Sequence, residues 1–343
     1  MLIRSPSNNF DVVDLTSAVR NIPIQYGTFN QMGIFMEEGV SSEAVVFEET
    51  TQNGALIIDR VRGEKNTVSK DGTRKLHSFV IPHFPLDDYI SPKDLQNKSA
   101  YTNFNEVEQL QNVRTRKLER LRQNHDWTLN KARAQALFSA TVYAPSGTVS
   151  QNWNTEFGVT RTAVDFALGT TTTEVLLKIE DVIAAVYDGM AGENYNGIAV
   201  PCDSAFFNKL ITHPLVKDAY RSFISNQAGL DPMRGRLADG GSPLPNGRRF
   251  AFGGLVFQEV RDAYNGTKIV TPSEAVAVPT GSDMFKTYFA PAERFGLVNT
   301  QGEMMYAFEQ ADQKNTKIEI ETESNHASAL LRPQAVVRCY TSN

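Results

Sequence analysis

The longest uninterrupted pattern in the chain runs from Asn103 to Phe138. It contains no proline or glycine, and Phe104, Val107, Leu110, Leu118, Leu121, Leu129, Ala132 and Ala136 recur at roughly helical spacing, which predicts one amphipathic helix over 103–138. Asn103 with Glu106 three residues on forms an N-terminal capping pair. Glu106 and Glu108 suit the positive end of the helix dipole, and Lys131 with Arg133 suit the negative end. At 1.5 Å per residue such a helix extends about 54 Å. That exceeds the width of a small domain, so the helix must lie across a flat or elongated body.

Ahead of it, Ala55–Arg62 (ALIIDRVR) and Arg74–Ile81 (RKLHSFVI) are rich in β-branched and aromatic residues and flank a charged stretch with Gly63 and Gly72. This predicts a hairpin with a long charged tip. A lone hairpin is marginal in water, so it either docks on its own body or projects onto another subunit; the pattern leaves both open. The first fifty residues alternate apolar patches with turn formers, as at Ile22-Pro23 and Gly27. They show no clear period and predict an extended arm, ordered only against the body or a neighbour.

Downstream, Pro145–Gly147 marks a turn and Thr162–Leu168 is strand-like. A second helix is expected from about Thr173 to Met190, with Val175, Ile179, Val182 or Ile183, Val186 and Met190 on one face. Ile198–Pro201 reads as a buried strand. Asp203 caps a short helix through Leu210 that stops near His213, because Pro214 restricts it. Ser225–Gly247 holds five glycines and three prolines with Arg234 and Arg236, and so long a loop in a folded protein is usually functional or mobile. Strands follow at Phe250–Val260, Lys268–Val270 and Ala275–Val278, with a turn at Asn265-Gly266. Lys317–Glu323 alternates cleanly, and Ala335–Tyr340 offers an apolar strand to pair with it.

With 343 residues, 41% hydrophobic and 21% charged, the chain is expected to be soluble and folded, as two lobes or one elaborate domain. No apolar run approaches the ~20 residues of a membrane span. The net charge of −5 argues against a surface built throughout to wrap nucleic acid. A local exception is the stripe of Arg114, Arg116, Lys117, Arg120 and Arg122 on the long helix, offset by Glu119 and little else. No aromatic residue interleaves to stack on bases, so a solvated face, or pairing with acidic residues of a neighbour, is the simpler reading; weak, sequence-independent contact with DNA is the sharper one. Cys202 and Cys339 stand in no metal or redox spacing and read as buried small hydrophobes in a reducing compartment. The start, MLIRSPSNNF, lacks a secretory apolar stretch, so cytoplasmic synthesis is expected.

Catalytic constellations are not found. His77, His83, His125, His213 and His326 form no HExxH or paired metal spacing, and GENYNG from Gly192 continues into Ile198 where a phosphate loop needs lysine. Neither GxGxxG after a strand nor GxSxG occurs. Asp87-Asp88 reads as a solvated turn or cap. No cofactor and no metal is expected. The remaining enzyme reading is a soluble α/β enzyme with 225–247 as active-site loop, using Arg234 and Arg236.

The order of arm, long hairpin, long helix, loop-rich α/β region and closing strands is that of phage capsid subunits. Four stretches sharpen it: GIFMEEGVSSEAVVFEE (Gly33–Glu49), HSFVIPHFPLDDYISPKDLQ (His77–Gln96), CDSAFFNKLITHPLVKDAY (Cys202–Tyr220) and MFKTYFAPAE (Met284–Glu293). In these the chain resembles the major capsid protein E family of tailed phages, the lambda-like branch of the HK97 fold. The resemblance implies an α+β subunit with an N-terminal arm (1–51), an E-loop hairpin (52–82), a P-domain (83–178) carrying the spine helix (103–138), an A-domain (179–301) and closing P-domain strands (302–343). It implies a structural, non-enzymatic protein that assembles with itself into hexamers and pentamers of an icosahedral head around double-stranded DNA. The further partners implied are a portal and a separate scaffolding protein, since the chain lacks a long charged helical N-terminal extension; a decoration protein is a further candidate. On this reading Arg62, Lys65, Lys70, Arg74 and Lys75 belong to the assembly E-loop, Arg234 and Arg236 to a loop at the capsomer centre, and the helix stripe to an inner face or an intersubunit contact. No motif matches the lysine and asparagine cross-link of some capsids, so Lys65 and Lys70 carry no such role.

Overall fold

The computed structural model describes residues 13–22, 27–51, 73–95, 106–225, 248–312 and 316–342. The spine helix runs Glu106–Ser139, 34 residues, or about 51 Å. Its earlier part packs Val113, Leu118 and Leu121 with Ile90, Ala307 and Ile320. From Leu129 to Phe138 only Lys131 and Gln135 are less than fully buried. The expected compensation of its negative end is corrected. Lys131 and Arg133 lie more than a turn short of the end, where the dipole no longer acts; Lys131 donates to the Ile269 carbonyl at 3.0 Å and Arg133 to Glu37 at 2.7 Å. Arg161 instead satisfies the Leu137 and Phe138 carbonyls, the second at 2.7 Å. Burial, its largest influence, lowers the Arg161 pKa to about 10.

The helix lies against a six-stranded sheet whose 13-residue strand Ile318–Leu330 is shared along its length. Residues 318–325 pair with His83–Ile90 on one side, 318–323 pair with Tyr306–Ala311 on the other, and 326–330 pair with Phe285–Phe289. Val13–Asp14 and Met36–Gly39 complete the two edges. Of the two surfaces the arm could lie against, Val13–Asp14 and Met36–Gly39 take the body of their own chain. Those residues join the sheet of their own chain, with short helices Thr16–Arg20 and Thr28–Gln31 between. A buried carboxylate fixes the second of these: Asp262 accepts from the Thr28 amide (2.7 Å), the Thr28 hydroxyl (2.9 Å) and Asn130 on the spine (2.9 Å). Gly27, at φ +100°, leaves room for Asn130, which a Cβ would strike at 2.5 Å.

A second six-stranded sheet orders Ala163–Asp165, Val337–Tyr340, Glu274–Thr280, Gly197–Asp203, Leu255–Val260 and Arg249–Phe252. The expected pairing of the last strand with Lys317–Glu323 is overturned: Val337–Tyr340 pairs with Glu274–Thr280 and Ala163–Asp165. A strand with Val337, Cys339 and their partners Ala277 and Ala275 at zero exposure requires a face covered by helices, not the half-exposed sheet edge to which the charged 317–323 stretch belongs. Helix Val175–Met190 buries Val175, Ile179, Val182, Val186 and Met190 as its period predicted. Asp203 caps Ser204–Thr212 through the Ala205 amide at 3.0 Å. Pro214 ends that helix and also opens another, Pro214–Ser225, since proline suits a first helical turn. The single strand expected over Phe250–Val260 is split at Gly253-Gly254, both at positive φ, into a tight hairpin. Cys202 and Cys339 are free and buried, on strands either side of Ala275.

Candidate interaction surfaces

The stripe on the spine helix faces carboxylates of its own chain. Arg114 meets Glu309 with Nε 2.6 Å from Oε2 and Nη2 2.7 Å from Oε1. Lys117 donates to Asp88 at 3.0 Å and to the Tyr89 carbonyl at 2.7 Å, and Arg120 reaches the other oxygen of Asp88 at 2.5 Å. Arg122 pairs with Asp126 one turn on, at 3.0 Å, both nearly buried. Asp88 therefore lies in the strand His83–Ile90 and not in the solvated turn or cap expected of it. Burial acts to raise its pKa, but the hydrogen bonds from Lys117 and the Tyr89 amide, with the Lys117 and Arg120 charges, bring it below the ordinary carboxylate range. Arg116 remains exposed, with no ion pair among the described residues.

The hairpin pairs Ala44–Thr51 with Thr73–Val80. Its first described strand lies ahead of the expected Ala55–Arg62, which falls outside the described residues together with Lys65 and Lys70. Side chains alternate between two faces. Val45, Phe47, His77 and Phe79 turn inward, and Phe79 meets Trp153 edge-on at 5.1 Å. Ala44, Val46, Leu76 and Val80 turn outward and are exposed, Leu76 to 76%. Arg74 reaches Glu48 at 3.3 Å across this outer face, and Lys75 points to solvent.

Further exposed apolar side chains gather on helix Val175–Met190 (Leu176, Leu177, Tyr187) and on the loop after Phe289 (Phe295, Val298). That loop is braced: Arg294 pairs with Glu321 and lies 4.0 Å over the Phe308 ring. Arg234 and Arg236 lie outside the described residues.

The histidines serve the fold. His125 reaches the Thr322 hydroxyl at 3.0 Å, His213 the Thr170 carbonyl at 3.0 Å, and His83 the Asn325 side chain at 2.7 Å. Burial, with neighbouring positive charge, lowers the pKa of His125 to about 4 and of His326 to about 3, so both are neutral. Among the described residues no three His, Cys, Asp or Glu side chains are grouped to hold a metal, and no helix is long and apolar enough to cross a membrane. An open groove among them is lined by residues from 41–44, 81–87, 290–299 and 321–325, with Asp14 and Phe308.

The family described as phage major capsid protein E matches residues 11–340. The major capsid protein of Pseudomonas phage KPP10 is 40% identical over 354 residues, covering 98% of each chain. That of Salmonella phage Felix O1 is 27% identical, again over 98% of each. Among solved structures, the capsid of Myoviridae phage XM1 is similar in fold, with a TM-score of 0.53 at 12% identity over 96% of this chain and 99% of that one.

Proposed function

The chain belongs to the phage major capsid protein E family, and from that premise we propose how its surfaces build a shell. It is a structural protein of the virion capsid, with an HK97-like fold, that assembles with itself, and it is not an enzyme. On our reading the copies form hexamers and pentamers of an icosahedral head that encloses double-stranded DNA, after synthesis in the host cytoplasm. The observation that carries this is the hairpin: one face is packed on its own body and the other, with Val46, Leu76 and Val80, is bare. A two-stranded ribbon that leaves Val46, Leu76 and Val80 bare beside one ion pair is completed by another surface, and in a symmetric assembly that surface belongs to a sister copy.

The proposed division keeps the arm at 1–51, whose last residues Ala44–Thr51 form the first hairpin strand, the E-loop at 52–82, the P-domain at 83–178 with 302–343, and the A-domain at 179–301, from which Phe285–Phe289 joins the spine's sheet. Strands Ala163–Asp165 and Val337–Tyr340 are shared with the A-domain sheet. Arg62, Lys65, Lys70, Arg74 and Lys75 supply the charge of the E-loop, and Arg234 and Arg236 line the capsomer centre. The stripe's role is mainly to bind the spine to its sheet, leaving Arg116 for non-specific contact with packaged DNA. A scaffolding protein, a portal and a decoration protein complete the proposed partners. Negative-stain or cryo-electron microscopy of the expressed chain, with and without a scaffolding protein, tests this: capsomers, tubes or shells are expected, and a strictly monomeric chain at high concentration overturns it.

A further inference from the structure

Among the described side chains of its strand His77 is the outermost buried one, since Arg74, Lys75 and Leu76 beyond it are all exposed. Both of its ring nitrogens meet carboxylates: Nδ1 lies 2.8 Å from Glu156 Oε1 and Nε2 lies 3.0 Å from Glu49 Oε2. A neutral imidazole has one N–H and one lone pair, so only the imidazolium can donate to both. The ring also packs against Phe47, stacked at 5.4 Å, and Phe157 at 4.8 Å, two rings that stack on each other at 5.9 Å.

Glu49 and Phe47 come from the partner strand of the hairpin, whereas Glu156 and Phe157 come from the helical turn Trp153–Glu156 and the residue after it. That turn is anchored to the spine, because the Trp153 amide donates to the Ala140 carbonyl at 2.8 Å. Gln151 holds the second oxygen of Glu156 at 2.9 Å. Among the described residues of the two strands the remaining charged group on this face is Lys75, opposite Glu49 in the register, and it points to solvent.

We propose that His77 is a pH-sensitive clasp: as an imidazolium bridging Glu49 and Glu156 it sets the angle at which the hairpin leaves the body, and its deprotonation frees the hairpin base. Without the proton, one carboxylate faces a lone pair and the two carboxylates lose the charge between them. The shift agrees in direction. Burial acts to lower the His77 pKa, yet the hydrogen bonds and charges of Glu156 and Glu49 raise it above the ordinary value of 6.5. A raised folded-state pKa means the clasp is at full strength below about 6.5 and is lost as pH rises through the folded value. That this tunes how copies join rests on the capsid reading; the clasp itself does not.

Hydrogen–deuterium exchange on the full chain between pH 6 and 9, corrected for the intrinsic rate, tests it. Protection of 44–51 and 73–80 is expected to fall by up to about tenfold per pH unit from near 6.5 and then level, while 106–139 holds constant. Glu156→Gln shifts the fall to lower pH, and His77→Gln abolishes it. A pH-independent hairpin in the parent chain, or an unchanged fall in His77→Gln, overturns the proposal. Should His77→Gln not fold, an unmoved midpoint in Glu156→Gln overturns it equally. Micrographs at pH 6 separate the two ideas: absence of assembly counts against the capsid reading, and flat exchange in assembled particles counts against the clasp alone.

Discussion

The C-terminal half of the spine and the hairpin carry comparable apolar content and come to opposite ends. The spine from Leu129 to Phe138 is enclosed almost all round by its own chain, down to Asn130 and Arg133. The hairpin stops halfway, with Phe79 buried and Leu76 bare. A helix can be surrounded by one chain because sheet, loop and arm approach from every side. A two-stranded ribbon has two broad faces, and here the body covers one. The lesson is that an unfinished surface marks where assembly begins, whereas a finished one marks where it is supported.

Substitution on the finished side has the largest expected effect. Leu137→Ala, at zero exposure, should cost about 3–4 kcal/mol, read as a lowered midpoint of denaturant unfolding; a loss under 1 kcal/mol would show that the spine's surroundings collapse onto it. Arg114→Ala leaves Glu309 buried without its partner and should cost about 3 kcal/mol. Replacing the pair together with methionine and leucine should restore much of that loss.

Asp88→Asn should cost about 1 kcal/mol, since the Lys117 and Arg120 contacts are near the surface. Because the folded pKa of Asp88 is depressed from 3.8, its contribution is present above pH 4 and lost as pH falls through the folded value. Acid titration of the melting temperature should therefore be shallower in Asp88→Asn than in the parent. On the unfinished side the stability change shrinks and the assembly change grows. Leu76→Glu should alter unfolding by no more than about 0.5 kcal/mol yet reduce shells to free subunits in negative stain. Assembly unaffected by that charge would break the comparison. Arg116→Glu should leave stability and assembly intact and lower the salt dependence of DNA binding by about one counterion.

The long helix was legible because a 3.6-residue period over thirty residues has no strand equivalent, and Asn265-Gly266 was legible because both residues take positive φ there. The partners of the stripe were not. Asp88 and Glu309 lie far from it in sequence, and only the pairing of Ile318–Leu330 with the strands bearing both acids delivers them to the spine. His77 gave no sign of its role for the same reason: Glu49 is a cross-strand neighbour, but Glu156 arrives through the helix end at Ala140.

What the residues alone determined is local. Period, cap and turn chemistry depend on neighbours within a few positions, so the spine helix, helix Val175–Met190, the Asp203 cap and the Asn265-Gly266 turn follow from composition and spacing. What only the tertiary structure decided is which charge meets which and which apolar face stays open. Those outcomes depend on contacts between segments tens to hundreds of residues apart, whose energies exist only once the sheets have set the distance between them.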